Sequence, residues 1–159
     1  MTNADFARRS ARVLLVDTAE RLLLFRSEDF WFTPGGGIED GETTAQAAAR
    51  ELWEETGLRL APDELGPLVA ESCGYADLGW ITGMIHDAFY FHRAPAGFTV
   101  DTSGFQPLEV STVSGHRWWT PDEIEAAEKN VFPWAVAPLL RDLVDGRLPP
   151  VPVRLPWHH

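Results

Sequence analysis

The sequence predicts an α+β fold or an α/β/α sandwich built as one domain, and three observations carry this. Strand-like and helix-like segments follow one another in a mixed order without regular alternation, which argues against a doubly wound parallel sheet. The 159 residues suit one domain large enough to bury a real core. A hydrophobic content of 45% with 23% charged residues is that of a soluble globular protein.

The elements follow in order. Residues 1–10 form an arm with two arginines and no apolar stretch long enough for a signal peptide, so the cytoplasm is the expected compartment. Arg12 to Val16 and Arg21 to Phe25 are expected strands, joined by a hairpin turn over Asp17-Thr18-Ala19-Glu20. Phe30 to Thr33 is a short aromatic strand. Pro34-Gly35-Gly36-Gly37 is expected to be no regular element, but a loop whose backbone can approach a ligand closely. A helix follows, with Thr43 as N-cap and Gln46 completing a capping box. Ala45, Ala47, Ala48, Ala49 and Leu52 supply helix propensity and an apolar face, and Gly57 stands where a left-handed residue ends the helix.

Glu64 to Tyr75 is expected to be extended, interrupted at Gly66-Pro67, and Gly83 to Arg93 is a strand. Ala94 to Pro107, rich in Pro, Gly, Ser and Thr, is expected to be a loop. His116 to Trp119 is a short strand. Thr120-Pro121-Asp122-Glu123 starts a helix, with the N-cap, proline at N1 and glutamate at N3 in their places. A last helix is expected over Pro133 to Val144, stopped by Gly146. The domain thus spans 11–147. Residues 148–159 form a Pro-rich tail, expected to be extended and to pack on its own chain or at a homodimer interface. His158-His159 is either a native terminus or an added remnant.

Composition excludes several functions. A formal net charge of −11 argues against broad binding to nucleic acid or an anionic membrane. No apolar run approaches the roughly 20 residues that cross a bilayer. The single cysteine, Cys73, rules out an internal disulfide framework and a cysteine-rich zinc site.

The chemistry is concentrated between Gly36 and Leu58. Glu51, Glu54 and Glu55 are related as i, i+3 and i+4, so they share one helix face. Glu42 lies just upstream, and Arg50 stands four residues before Glu54. Carboxylates this close repel one another unless something positive sits among them, and oxygen ligands are those that Mg²⁺ prefers.

These residues resemble the signature of the Nudix hydrolase family, G-x5-E-x7-R-E-U-x-E-E-x-G-U with U a bulky aliphatic residue. Gly36, Glu42, Arg50, Glu51, Leu52, Glu54, Glu55, Gly57 and Leu58 fill every specified position. The resemblance implies the sandwich, with a mixed curved sheet between helices. It also implies hydrolysis of a phosphoanhydride bond, in a nucleoside diphosphate linked to another moiety, with Mg²⁺ or Mn²⁺. Carried over by position, Glu54 and Glu55 are metal ligands, with Glu51 beside them and Gly36 donating a carbonyl or shaping the loop. Glu42, Arg50 and Gly57 hold the motif together. In many members the general base is a loop glutamate outside the signature. Glu109 is the candidate for it here, alongside Glu54 and Glu55; the other reading of Glu109 is an exposed loop carboxylate.

The substrate is expected to be a small nucleotide-type molecule. Trp31-Phe32 and Trp118-Trp119 can stack on a base or belong to the core, and strand alternation lets at most one of each pair face a pocket. Arg26 and Arg12 can meet a phosphate or sugar or stand as surface charges, and Asp87 is a secondary ligand candidate. The alternative function is a non-catalytic sensor of nucleotides or nucleotide sugars. Such domains usually lose catalytic glutamates, and none is lost here. Prenyl diphosphate isomerisation, which in relatives uses a cysteine and histidines, is set aside because neither occurs before the motif.

Overall fold

The computed structural model describes residues 5–157, so the first four residues of the arm and His158-His159 lie outside the described residues. The fold is α+β, a curved mixed sheet with helices on both faces. Its strands are β1 (Arg8–Val16), β2 (Leu22–Ser27), β3 (Phe30–Phe32), β4 (Gly35–Gly37), β5 (Leu68–Asp77), β6 (Thr82–Arg93), β7 (Gly115–Trp119), β8 (Val131–Phe132) and β9 (Val153–Arg154). Four α-helices accompany them: α1 (Thr44–Thr56), α2 (Pro107–Thr112), α3 (Pro121–Ala126) and α4 (Val136–Val144). The strand order is β8-β3-β2-β1-β6-β5-β9, with β4 on β1 and β7 on β2.

β1 organises the molecule. It pairs in parallel with β6 from Arg8–Ile85 to Val16–Arg93, and antiparallel with β2 and β4. Its near-continuous apolar run, Val13 to Val16, is buried on both faces, as a central strand covered twice requires. Val13 and Leu15 pack with Ala47, Ala48 and Leu52 of α1. Leu14 and Val16 pack on the other face with Leu139, Leu140 and Leu143 of α4.

Helix α1 forms because its ends are satisfied. Thr43 accepts from the backbone N–H of Gln46, whose side chain accepts in return from that of Thr43. Gly57 closes the helix at φ 78°, donating its N–H to the Trp53 carbonyl.

The structure differs from the expectations in several places. The glycine run is not irregular: Gly35–Gly37 pairs with Ser10, Ala11 and Arg12 as β4. A side chain on Gly35 would collide with the backbone of Ala11 and Arg12, so only glycine permits this close pairing. β1 begins at Arg8, so the sheet takes in residues assigned to the arm. A short helix, α2, begins at the far end of the expected loop, with Pro107 at N1 and the Glu109 carboxylate accepting from the Gln106 N–H. α4 starts at Val136, three residues after Pro133.

The tail folds back on its own chain. β9 pairs in parallel with the outer edge of β5, Leu155 is buried, and the Trp157 indole N–H donates to the Tyr75 carbonyl at 2.9 Å. No helix among the described residues is long and apolar enough to cross a membrane.

Candidate active site

Four elements converge at the N-terminal end of β1. β4 lays its glycines against one face of α1, α1 projects its glutamates toward them, and α2 brings a further glutamate from across the chain. Arg50, Glu51, Glu54, Glu109 and the three glycines of β4 line one open groove.

Arg50 fixes the framework. Its guanidinium donates to both carboxylate oxygens of Glu42, at 2.8 and 2.9 Å, and to the Gly37 carbonyl at 3.0 Å. A third arm donates to Glu51 at 2.9 Å, with Glu54 at 3.5 Å. This planar fork ties helix, glycine strand and the connecting turn into one unit. The Arg50 hydrogen bonds hold the Glu42 carboxyl below the usual carboxylate range. In return Glu42 and Glu51 make the guanidinium harder to deprotonate.

The other carboxylates are in the opposite condition. Glu55 is only 1% exposed, and its one hydrogen bond from a backbone N–H comes from Gly35, at 2.7 Å. Burial first, then the charges of Glu51 and Glu109, push its carboxyl well above the ordinary range. Burial also raises Glu51 and Glu54, against the pull of Arg50. One oxygen from each of Glu51, Glu55 and Glu109 lies within 4.8 Å of the others. All-oxygen donors at this separation, with affinities tilted toward taking up positive charge, fit a hard divalent cation such as Mg²⁺.

Gly36 faces this cluster. A side chain there would start 2.5 Å from Oε1 of Glu51, so glycine keeps the strand close to the carboxylates. Glu54 lies outside the group of three; it lines the groove and contacts Arg50. Glu109, which the sequence places 54 residues from Glu55, is brought against Glu51 and Glu55 by α2.

The aromatic candidates go elsewhere. Trp31 packs edge-on against Trp119, ring centres 5.0 Å apart, on the α4 side of the core. Trp118 stands beside Leu23 in the sheet and packs into the α1-side core. Arg26 is exposed and donates to the Glu28 carbonyl. None of these three lines the groove or the cavity described next. Alternation along β3 explains Trp31: its neighbours Phe30 and Phe32 point the other way.

Phe30 and Phe32 line a cavity of about 330 Å³ with Phe89, Phe132, Ile85 and Trp80. Phe30 stacks on Phe132 at 5.3 Å. Arg8, Arg12, Asp87 and Thr33 add polarity. Asp87 is buried and accepts from the Ser10 hydroxyl, so it belongs to this cavity and lies outside the three-carboxylate group. Arg12 donates to the Thr33 carbonyl at 2.9 Å, and the buried Thr33 hydroxyl has no hydrogen-bond partner among the described residues. Sequence reasoning missed Phe30, Phe132, Trp80 and Arg8 in this role. The alternation of Phe30-Trp31-Phe32 is the one local signal that separates the cavity wall from the core.

Comparison with known proteins identifies the family. The family model described as NUDIX domain matches residues 7–141. A MutT-like protein of Streptomyces ambofaciens is 35% identical over 133 residues, covering 82% of this chain and 73% of the relative. An RNA pyrophosphohydrolase of Psychrobacter sp. is 42% identical over 60 residues, 36% of this chain and 35% of the relative, so the chain matches about a third of that protein's length. Among solved structures, the MutT protein from Methanosarcina mazei Go1 superposes with a TM-score of 0.64 at 16% identity, covering 91% of this chain and 98% of that one.

Proposed function

The chain belongs to the NUDIX family and is a Nudix-type diphosphohydrolase, and from that premise we propose that it hydrolyses a phosphoanhydride bond in a nucleoside diphosphate linked to another moiety, with Mg²⁺ or Mn²⁺. The observation that carries this reading is the meeting of Glu51, Glu55 and Glu109 oxygens within 4.8 Å, opposite a strand of glycines.

Glu51 and Glu55 would hold the cation, with Glu54 at the rim of the groove. When bound, the ion supplies charge neutralisation for the diphosphate and lowers the pKa of coordinated water. Glu109 takes the proton of the attacking water as its oxygen bonds to phosphorus and the anhydride P–O bond breaks. Its place on α2, apart from the Arg50 clamp, suits a base that must present an oxygen to water. Arg50 positions the glutamates without touching the reacting atoms. The cavity between Phe30, Phe132 and Trp80 has the flat aromatic walls that hold a nucleobase, and the Thr33 hydroxyl and Asp87 supply polar contacts.

The test is release of phosphate or nucleotide from nucleoside triphosphates, ADP-ribose, nucleotide sugars and dinucleoside polyphosphates, with Mg²⁺ and Mn²⁺. Turnover of one group, abolished by chelator and by Glu55→Gln, is the expected result. Tight binding of a nucleotide without any product would instead favour a sensor.

A further inference from the structure

The acidic groove and the aromatic cavity share one residue, Arg8. It stands at the first position of β1, half-buried, with its guanidinium at 4.9 Å from the Trp80 ring centre. A side chain on Gly37 would begin 3.6 Å from that guanidinium, so the glycine strand leaves room for it. No hydrogen bond or ion pair joins the guanidinium to any described residue, while its neighbours Arg9 and Arg12 donate to Thr44 and Thr33.

An arginine carries five donors in a fixed fork, and leaving them unmet in a half-buried place is unfavourable. Burial first, and then repulsion from Arg12, make the Arg8 charge costly; the charges of Asp87 and Glu51 offset this only in part, and a bound anion would offset the rest. The charged stem is held in place by the Trp80 face, so little freedom is lost on meeting a ligand. A molecule with a ring in the aromatic cavity and a phosphate at the glutamates must pass this guanidinium.

We propose that Arg8 is a substrate-binding residue whose guanidinium grips the diphosphate bridge between the aromatic cavity and the acidic groove. The proposal rests on the hydrolase reading for the identity of the anion. It makes Arg8 a selector for substrates whose two ends span the two regions.

The experiment is titration calorimetry with inorganic pyrophosphate, in Ca²⁺ and again in chelator, on the wild type and on Arg8→Gln, Arg8→Lys and Arg147→Gln. Arg147 is exposed on the far terminal segment and serves as control. Loss of a charged bidentate contact should weaken binding by about tenfold or more in Arg8→Gln. Arg8→Lys, which keeps the charge and folds with a similar stem, should lose less, and Arg147→Gln nothing. With a substrate from the turnover panel, Arg8→Gln should raise KM by a similar factor and leave kcat nearer the wild type. Wild-type affinity in both Arg8 variants overturns the proposal, and so does a wild type that binds pyrophosphate in neither buffer. The two readings separate cleanly. Affinity lost in Arg8→Gln with no turnover anywhere sinks the hydrolase and keeps the anion site. Turnover with affinity and KM unchanged does the reverse.

Discussion

The acidic groove and the aromatic cavity meet at Arg8 but are assembled by different means. Most of the groove comes from one continuous run, Gly35 to Glu54, folded onto itself as a strand and a helix, joined by Arg8 of β1 and by Gln106, Leu108 and Glu109 at the start of α2. The cavity draws its walls from β1, the β2–β3 hairpin, β6, β8 and the turn carrying Trp80. A reaction centre made mostly of one segment keeps its geometry through local hydrogen bonds, such as the Arg50 fork. A recognition site made of five segments depends on the whole sheet and can change by substitution at any of them. On the proposed function, the chemistry is thereby insulated from the choice of substrate.

The largest expected effects test the groove. Glu55→Gln and Glu109→Gln should each lower kcat by on the order of 10²- to 10⁴-fold, while the fold, followed by circular dichroism, persists. A Glu109 variant with wild-type kcat at every pH would move the base to Glu54 or Glu55 and leave the groove wholly local. Next in size is the cavity. Phe30→Ala or Phe132→Ala should raise KM by roughly tenfold, as loss of one stacking face costs about 1–3 kcal/mol, with kcat changed far less. Equal losses of kcat from both regions would erase the distinction between them.

A third test uses protons. Burial raises the Glu55 and Glu51 carboxyls, so the folded, metal-free protein binds protons more tightly than the unfolded chain. Stability of that form should therefore fall as pH rises from the ordinary carboxylate value of 4.5 through the raised values. Mg²⁺ should restore it most at neutral pH. Glu42 has the opposite sign: lowered by Arg50, it stabilises above 4.5 and loses its contribution as pH falls through its lowered value. Melting curves with chelator and with Mg²⁺ across this range would show both trends. A chelated protein that is steadily more stable toward neutral pH contradicts the first.

The smallest effect on catalysis is expected from the rings that face the core. Trp31→Leu and Trp118→Leu should leave KM unchanged and cost about 1–3 kcal/mol of stability by thermal or urea unfolding. A changed KM would enlarge the cavity to include them.

How much of this was written in the sequence follows the same division. The α1 caps, the helix face of Glu51, Glu54 and Glu55, and the fold class all rest on short-range spacing, and the structure contains them. The pairing of β4 with β1 was not legible, because it depends on Ala11 and Arg12 lying against glycines more than twenty residues away. α2 was missed although Gln106-Pro107-Leu108-Glu109 repeats the grammar of Thr120-Pro121-Asp122-Glu123, with a weaker cap residue. The cavity was hidden because Phe30, Trp80 and Phe132 share no local pattern. Trp31 and Trp118 drew attention by size, while alternation along β3 gave the cavity to Phe30 and Phe32.

The strap of β9 over β5 has a consequence for how the chain is made. The central strand β1 is made before every strand it pairs with, and its parallel neighbour β6 begins only at Thr82. β5 then waits longer still, with its outer edge open, until Val153 and Arg154 pair with Ala70 and Glu71 and Trp157 reaches Tyr75. During that interval the nascent protein carries a ten-residue strand with one row of unmatched backbone donors and acceptors. The time that β9 takes to pair thus sets how long other chains have access to that edge.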